Sequence, residues 1–257
     1  MQVVILCGGF GTRMGSATET LPKPMVEVGG RPLLWHIMKG YSAWGCRRFV
    51  LCLGYKGDVI RAWVMGGRHI SGDVTVGPRG ARAQPSADEA ADWQITLAET
   101  GVNTTTGGRL MAIRRHLEPG APVFMTYGDG VADVDLGALF AHHRALGRHA
   151  TVTAMRPRSR FGTLDIAEGG AVTRFREKPL LDQRVSGGFF VLESQAFDAL
   201  RADEPFEDGA LGRLADDGQL AAFVHDGFWG SVDTPRDLAG LNALWNQGER
   251  RWLHGSS

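Results

Sequence analysis

No run of about 18 consecutive apolar residues occurs in the chain, so nothing in it reads as a bilayer span and no membrane partner is expected. Neither charge sign prevails. Lys+Arg and Asp+Glu are both 28, for a formal net charge of zero. That excludes a broad electrostatic pull on a nucleic-acid backbone or an anionic surface, so any phosphate recognition must be local. Cysteine is sparse. Cys7, Cys46 and Cys52 have no C-x-x-C spacing, leave an odd number and lie in or beside apolar stretches. They read as reduced, mostly buried thiols, which points to a cytoplasmic protein. No charged segment followed by an apolar core opens the chain, so no secretory leader is expected. Internal repeats are also missing.

What is present is an alternation of short apolar runs and helical patterns, in 257 residues that are 43% hydrophobic. Residues 2–7 (QVVILC), Arg48–Leu53 (RFVLCL) and 122–127 (PVFMTY) read as buried parallel strands, and 95–100 as a further strand. Pro32 opens a helical pattern that Gly45 closes. Further helices are expected over 58–65, 108–117 and Leu136–Leu146. Thr234 and Asp237 form a capping-box pattern, with Pro235 at the first helical position of a terminal helix. This order predicts an α/β chain with a mostly parallel, doubly wound, Rossmann-like sheet. After about residue 150 the runs shorten to ATVTAM, TLDI, AVTRFRE and GGFFVLE. They predict a smaller mixed-strand portion laid over the opening of the first half. Residues 67–92, rich in Gly, Ala, Pro and charge, read either as a surface loop or as an insertion that meets a partner subunit.

Six residues after the first strand run Gly8-Gly9-Phe10-Gly11-Thr12-Arg13. In an open α/β sheet, ligands sit beyond the carboxyl ends of the strands. Glycines there let backbone N–H groups approach phosphate oxygens, and Arg13 adds a charged fork. Lys23 adds a second cation, and Pro22 and Pro24 on either side are expected to hold it extended. The dinucleotide fingerprint fails, because Met14 stands where its third glycine belongs. The Walker P-loop fails for want of a Gly-Lys pair. By itself, such a loop is equally a structural turn.

Asp129 stands between Gly128 and Gly130 after a strand, and Asp233 precedes the terminal helix. Each reads alone as a turn or helix-start residue. Together they suit Mg²⁺, which takes one or two carboxylates and completes its shell with phosphate oxygens and water. Glu177 and Lys178 lie at a strand end, where the acid can accept hydroxyl hydrogens and the base can hold a phosphate. Thr104, Thr106, Gly107, Gly108 and Arg109 put hydroxyls, amides and a guanidinium at a helix N-terminus, a favourable anion site or a plain N-cap. Asp133 and Asp135 read as turn and helix-start residues. His142 and His143 are adjacent, diverge rather than chelate, and are expected on the surface or half-buried.

The order GGFGTR, PKP, KPMVEVGGRPLLWHIMK, CLGYKGDVI, TGGR, TYGDGVADVD, RFGTLDI, FREKP and GGFFVL, then FW followed by VDT, runs through nearly the whole chain. It resembles the sugar-phosphate nucleotidyltransferases, and among them the glucose-1-phosphate cytidylyltransferases. The resemblance implies one nucleotidyltransferase domain over 1–257, binding nucleotide with about 1–150 and the acceptor with about 151–257. It implies CTP, a sugar 1-phosphate and Mg²⁺ as ligands. A nucleotide site is implied at Leu6, Gly8, Gly9, Phe10, Gly11, Thr12, Arg13, Lys23, Thr104, Thr106, Gly108, Arg109 and Gly128. A sugar-phosphate site is implied at Tyr127, Gly162, Glu177, Lys178, Ser186, Gly187 and Gly188, and a metal site at Asp129 and Asp233. Arg13, Lys23, Asp129 and Lys178 would carry the catalysis. A homo-oligomer is implied, with 67–109 near a subunit interface.

Three stretches depart from that pattern. Ser186 stands where the family carries Asn, Gly209-Ala210 where it tends to have Glu-Pro, and Gly230-Ser231 where it tends to have Gln-Pro. A hydroxyl cannot reproduce an amide's two donors and acceptor. The base and the acceptor sugar therefore stay open at this point, as does a nucleotide sensor without catalysis.

Overall fold

The computed structural model describes residues 1–11, 21–67, 74–77, 80–83 and 93–253. Unbroken apolar runs leave a strand no face for water and drive it to the middle of a sheet. β1 (Gln2–Leu6) is buried at every position. It pairs in parallel with β2 (Arg48–Leu53) on one side. β3 (Gln94–Glu99), more exposed, flanks β2 at the edge. β4 (Val123–Tyr127) lies on the other side of β1, again parallel.

Beyond β4 the chain corrects the expected separate layer. β5 (Ala150–Met155), β8 (Val185–Leu192) and β9 (Leu220–His225) continue the same seven-stranded sheet, in the order β9-β5-β8-β4-β1-β2-β3. β8 alone runs against its neighbours β4 and β5, while β9 is parallel to β5. The reason is legible in β8, whose residues from Gly187 to Leu192 are buried without alternation. Only a strand covered on both faces allows that. β6 (Thr163–Ile166) and β7 (Val172–Arg176) form a separate hairpin, with β7 exposed throughout.

Pleating sends successive side chains to opposite faces. Val3 and Ile5 join one core with Leu34 and Met38 of α1 (Leu33–Ala43). Val4 and Leu6 join the other with Leu110 and Ile113. Helices thus cover both faces, and each fully buried aliphatic side chain contributes about 1.5–3 kcal/mol. α2 (Gly57–Ala62) runs on into a π-helical turn, Trp63–Gly67. α3 (Thr106–Ile113) starts at Thr105, whose hydroxyl accepts the Gly108 N–H. α4 (Leu136–Leu146) is capped by Asp135, as the sequence suggests, while Asp133 lies 2.9 Å from His225. α5 (Leu211–Asp216) follows β8, and α6 (Pro235–Asn246) begins with the expected reciprocal capping box of Thr234 and Asp237.

His143 is fully buried rather than half-buried or on the surface, with Thr151 Oγ1 2.8 Å from Nδ1 and Glu193 3.2 Å from Nε2. Within 67–92, Val74–Gly77 and Gly80–Ala83 pair antiparallel rather than running as open loop; most of the remaining stretch lies outside the described residues. The three cysteines are free and buried. No described helix is long and apolar enough to cross a membrane.

Candidate active site

The carboxyl ends of β1 and β4 lie side by side, and a cleft of about 440 Å³ opens beyond them. That is within the range of small-molecule sites. Leu6, Gly8, Gly9, Phe10 and Gly11 line one side, and Thr104 and Thr106 another. Lys23, Tyr127, Gly128 and Asp129 complete the wall between them. Gly11 has φ +64°, open to glycine and strained for other residues. Phe10 rests its ring against Tyr55, with centroids 5.2 Å apart. Thr12 and Arg13 lie outside the described residues.

Arg109 reaches this cleft but turns its donors inward. Its guanidinium bonds Leu53 O at 3.0 Å, Thr100 Oγ1 at 2.7 Å, Gly8 O at 3.0 Å and Val102 O at 3.1 Å. The side chain therefore ties the ends of β1, β2 and β3 to α3. Burial pulls its pKa down, yet arginine stays charged throughout the physiological range. Gly8 is required here, because a Cβ would stand 2.1 Å from this guanidinium. Gly108 serves the first turn of α3, giving its N–H to Thr105.

Lys23 belongs to a single 3₁₀ turn, Lys23–Met25, rather than an extended segment. Pro24's ring-fixed φ suits that turn, and Met25 N–H closes it on Pro22 O at 2.8 Å. The turn aims the Lys23 ammonium at two carboxylates, 2.8 Å from Asp129 Oδ2 and 2.8 Å from Asp233 Oδ1. A backbone ladder brings these aspartates together. Gly130–Ala132 pairs with Trp229–Ser231, and Val232 N–H bonds Asp129 O at 2.7 Å. Burial by itself pulls the lysine pKa down, but the two carboxylates outweigh it and hold it above the usual value. Arg160 approaches Asp233 at 3.7 Å.

The acceptor-side residues are arranged more loosely. Lys178 pairs with Glu177 at 3.0 Å, both on the exposed end of the β6–β7 hairpin, and neither lines the cleft. Lys178 holds φ +44°, uncommon for a residue with a side chain. Gly162 packs against Phe175 and Glu177. Ser186 is exposed at the start of β8, followed by buried Gly187 and Gly188. Gly188 has φ +81°, and a Cβ there would stand 2.7 Å from the Tyr127 ring. Through that contact β8 meets the cleft wall.

A glycine loop beyond a parallel sheet, with one cation held by two carboxylates beside it, has the parts needed to bind and cleave a nucleoside triphosphate. The family described as nucleotidyl transferase matches residues 2–247. The chain belongs to the nucleotidyl transferase family. It is 43% identical over 254 residues to the glucose-1-phosphate cytidylyltransferase of Salmonella typhi, covering 98% of each chain. The enzyme of the same description from Salmonella typhimurium gives the same identity and coverage. Among solved structures, HddC from Yersinia pseudotuberculosis superposes with a TM-score of 0.65 at 20% identity, covering 95% of this chain and 99% of that one. That likeness concerns the fold.

In this nucleotidyltransferase the metal question rests on Asp129 and Asp233. Both already share a cation, the Lys23 ammonium, so their placement fits a divalent ion. Among the described residues no group of three or more His, Cys, Asp and Glu side chains could hold a metal. The two carboxylates would then leave the remaining positions to substrate oxygens and water, as Mg²⁺ prefers. Two contributors escape sequence reasoning, and a third, Arg160 of the RFGTLDI stretch, has a partner that the sequence leaves unstated. Thr105, rather than Thr104 or Thr106, caps α3. Arg160 reaches Asp233 from the loop before β6. Glu207 lines the cleft next to Tyr127 and Thr106. The signal for Glu207 was its place in the stretch that departs from the family pattern.

Proposed function

We propose that this chain transfers CMP from CTP to glucose 1-phosphate, giving CDP-glucose and pyrophosphate. The observation that carries the reading is the convergence of Lys23, Asp129 and Asp233 beside the 8–11 loop. The Salmonella relatives, at 43% identity along nearly their full length, support the choice of base and sugar.

An oxygen of the sugar phosphate attacks the α-phosphorus of the triphosphate, and pyrophosphate leaves in line. The acceptor is already anionic, so no serine, cysteine or histidine nucleophile is required. Catalysis is then positioning plus charge neutralisation. Lys23 and Arg13 act on the triphosphate and the departing pyrophosphate. Asp129 and Asp233 would hold Mg²⁺, which when bound would supply neutralising charge to the phosphates. Lys178 seats the acceptor phosphate, Glu177 meets sugar hydroxyls, and Gly187 and Gly188 let the sugar lie close to β8. In the geometry above Lys178 is turned to Glu177, so this role requires the β6–β7 hairpin to fold toward the cleft. The chain acts as a homo-oligomer in the cytoplasm, with 67–109 near a subunit interface; exposed Val102 supports that surface.

Pyrophosphate release measured with four nucleoside triphosphates against a panel of sugar 1-phosphates tests the reading. CTP with glucose 1-phosphate is expected to give the highest kcat/KM. A higher value with another base or sugar replaces that substrate, and nucleotide binding without pyrophosphate from any pair overturns catalysis. Light scattering on a sizing column tests the oligomer.

A further inference from the structure

Glu207 joins two residues of the cleft wall that come from distant parts of the chain. Its Oε2 accepts the Thr106 hydroxyl at 2.5 Å, and its Oε1 accepts the Tyr127 phenol. Thr106 Oγ1 also accepts the Phe206 N–H at 2.8 Å, so its one hydrogen is the one given to Glu207. Thr105 is occupied in the same way: it accepts the Gly108 N–H at 3.0 Å and donates to Ala202 O at 3.0 Å. Burial first, then the Glu207 charge, raises the Tyr127 pKa, and the phenol keeps its proton.

Among the described residues, three of the four hydroxyl side chains lining the cleft, those of Thr105, Thr106 and Tyr127, therefore have no hydrogen left for a ligand. The Arg109 guanidinium is likewise turned to protein oxygens. The Glu207 carboxylate, which lines the cleft and is exposed, keeps further lone pairs. This reverses the chemistry that the hydroxyl-rich 104–109 stretch suggests in the sequence. The hydroxyls of Thr105 and Thr106 are spent on protein acceptors, and a phosphate set against Glu207 would place anion against anion. A donor group placed there gains a charge-assisted hydrogen bond.

We propose that Glu207 is a specificity-determining residue that accepts a hydrogen bond from a donor of the bound nucleoside, a ribose hydroxyl or the exocyclic amine of the base. The inference rests on the nucleotide-binding reading above and deepens it. Glu207 fixes which end of the nucleotide faces α3, and the phosphates fall to Lys23 and the amides of the 8–11 loop. Tyr127, held by Glu207 on one side and packed against Gly188 on the other, carries that orientation toward β8.

The test is calorimetric titration of wild type and Glu207→Gln with CTP, 2′-deoxy-CTP and UTP, each with Mg²⁺ and without sugar phosphate. Melting curves establish that the variant is folded. A bond from a donor to an ionised acceptor predicts that wild type prefers CTP over the analogue lacking the donor by about ten- to a hundred-fold. Glu207→Gln should erase that preference and leave binding of inorganic tripolyphosphate unchanged. Loss of discrimination against 2′-deoxy-CTP assigns the ribose hydroxyl, and loss against UTP assigns the amine. Wild-type preference ratios retained in Glu207→Gln overturn the proposal, as does a wild type with neither preference. Pyrophosphate assays on the same wild-type sample, with CTP and glucose 1-phosphate, keep the two readings apart. Inactivity there overturns the substrate assignment without touching the titrations.

Discussion

The Lys23 ammonium stands 2.8 Å from a carboxylate oxygen of Asp129 and at the same distance from one of Asp233. Two carboxylates converging on one point repel each other unless a cation lies between them. In this structure a side chain supplies that cation. The pair is only partly exposed, so its attraction is screened less than that of a surface ion pair.

Removing the ammonium should leave a pair of carboxylates in want of a cation. Lys23→Met is expected to bind Mn²⁺ in the absence of nucleotide more tightly than wild type, about tenfold or more, which is about 1.4 kcal/mol. Electron paramagnetic resonance of free Mn²⁺ reads this directly. Equal binding in the two proteins would show that Lys23 and the divalent ion do not compete.

Asp129→Asn keeps the shape of the side chain and removes its charge. Pyrophosphate formation is expected to fall by about 10²–10³-fold, the usual cost of one well-placed electrostatic contact in a transition state. Circular dichroism should be unchanged, and chelation of divalent ions should bring wild type down to a comparable level. Near-normal turnover in a folded variant would remove Asp129 from the reaction.

Gly188→Ala combines two penalties. At φ +81° an L-residue is strained, and the new methyl would meet the Tyr127 ring at 2.7 Å. A loss of about 1–3 kcal/mol in urea unfolding is expected. Since Tyr127 lines the cleft, KM for the nucleotide should rise as well. A variant as stable as wild type would mean that the Tyr127 ring moves aside freely.

Arg109→Leu tests whether that side chain organises the loops. It leaves Gly8 O, Val102 O and Thr100 Oγ1 without the donor they now share. The expected cost is about 2–4 kcal/mol, from two or three buried acceptors losing partners. If Arg109 acted on phosphate alone, turnover would fall with no change in the unfolding midpoint.

Acid sensitivity has an identifiable source in His36. Its Nε2–H donates to Val28 O at 2.8 Å, and its Nδ1 accepts the Trp252 indole N–H at 3.2 Å. Burial, with Arg250 and Arg31 nearby, pulls its pKa down to about 4 despite the bond to Val28. The folded value is depressed, so the native state binds fewer protons than the unfolded one. Stability is then complete above the unfolded value of about 6.5 and falls as pH drops toward 4, by about 3 kcal/mol in all. Urea midpoints between pH 7 and 5 should decline less steeply in His36→Gln. Equal slopes would move the acid response elsewhere, for instance to buried His143, whose pKa burial also lowers.

What the sequence determines by itself is local. Arg48–Leu53 and Leu136–Leu146 can be read to the residue, because apolar runs, periodicity and capping residues are properties of a few neighbours. The capping box of Thr234 and Asp237 is equally local. The phosphate loop and the two aspartates are legible too, as residue types in suggestive settings. Their meeting is not. Lys23, Asp129 and Asp233 converge because β1 lies beside β4 and because Gly130–Ala132 pairs with Trp229–Ser231, and strand order is decided by competition over the whole sheet. The same holds for β8, whose burial on both faces draws the second half into the central sheet. Hydrogen-bond direction is the last thing sequence leaves open. Arg109 and Thr106 look like anion donors until the fold surrounds them with Gly8 O, Leu53 O and Glu207, since a donor's availability depends on which acceptors lie within about 3 Å of it.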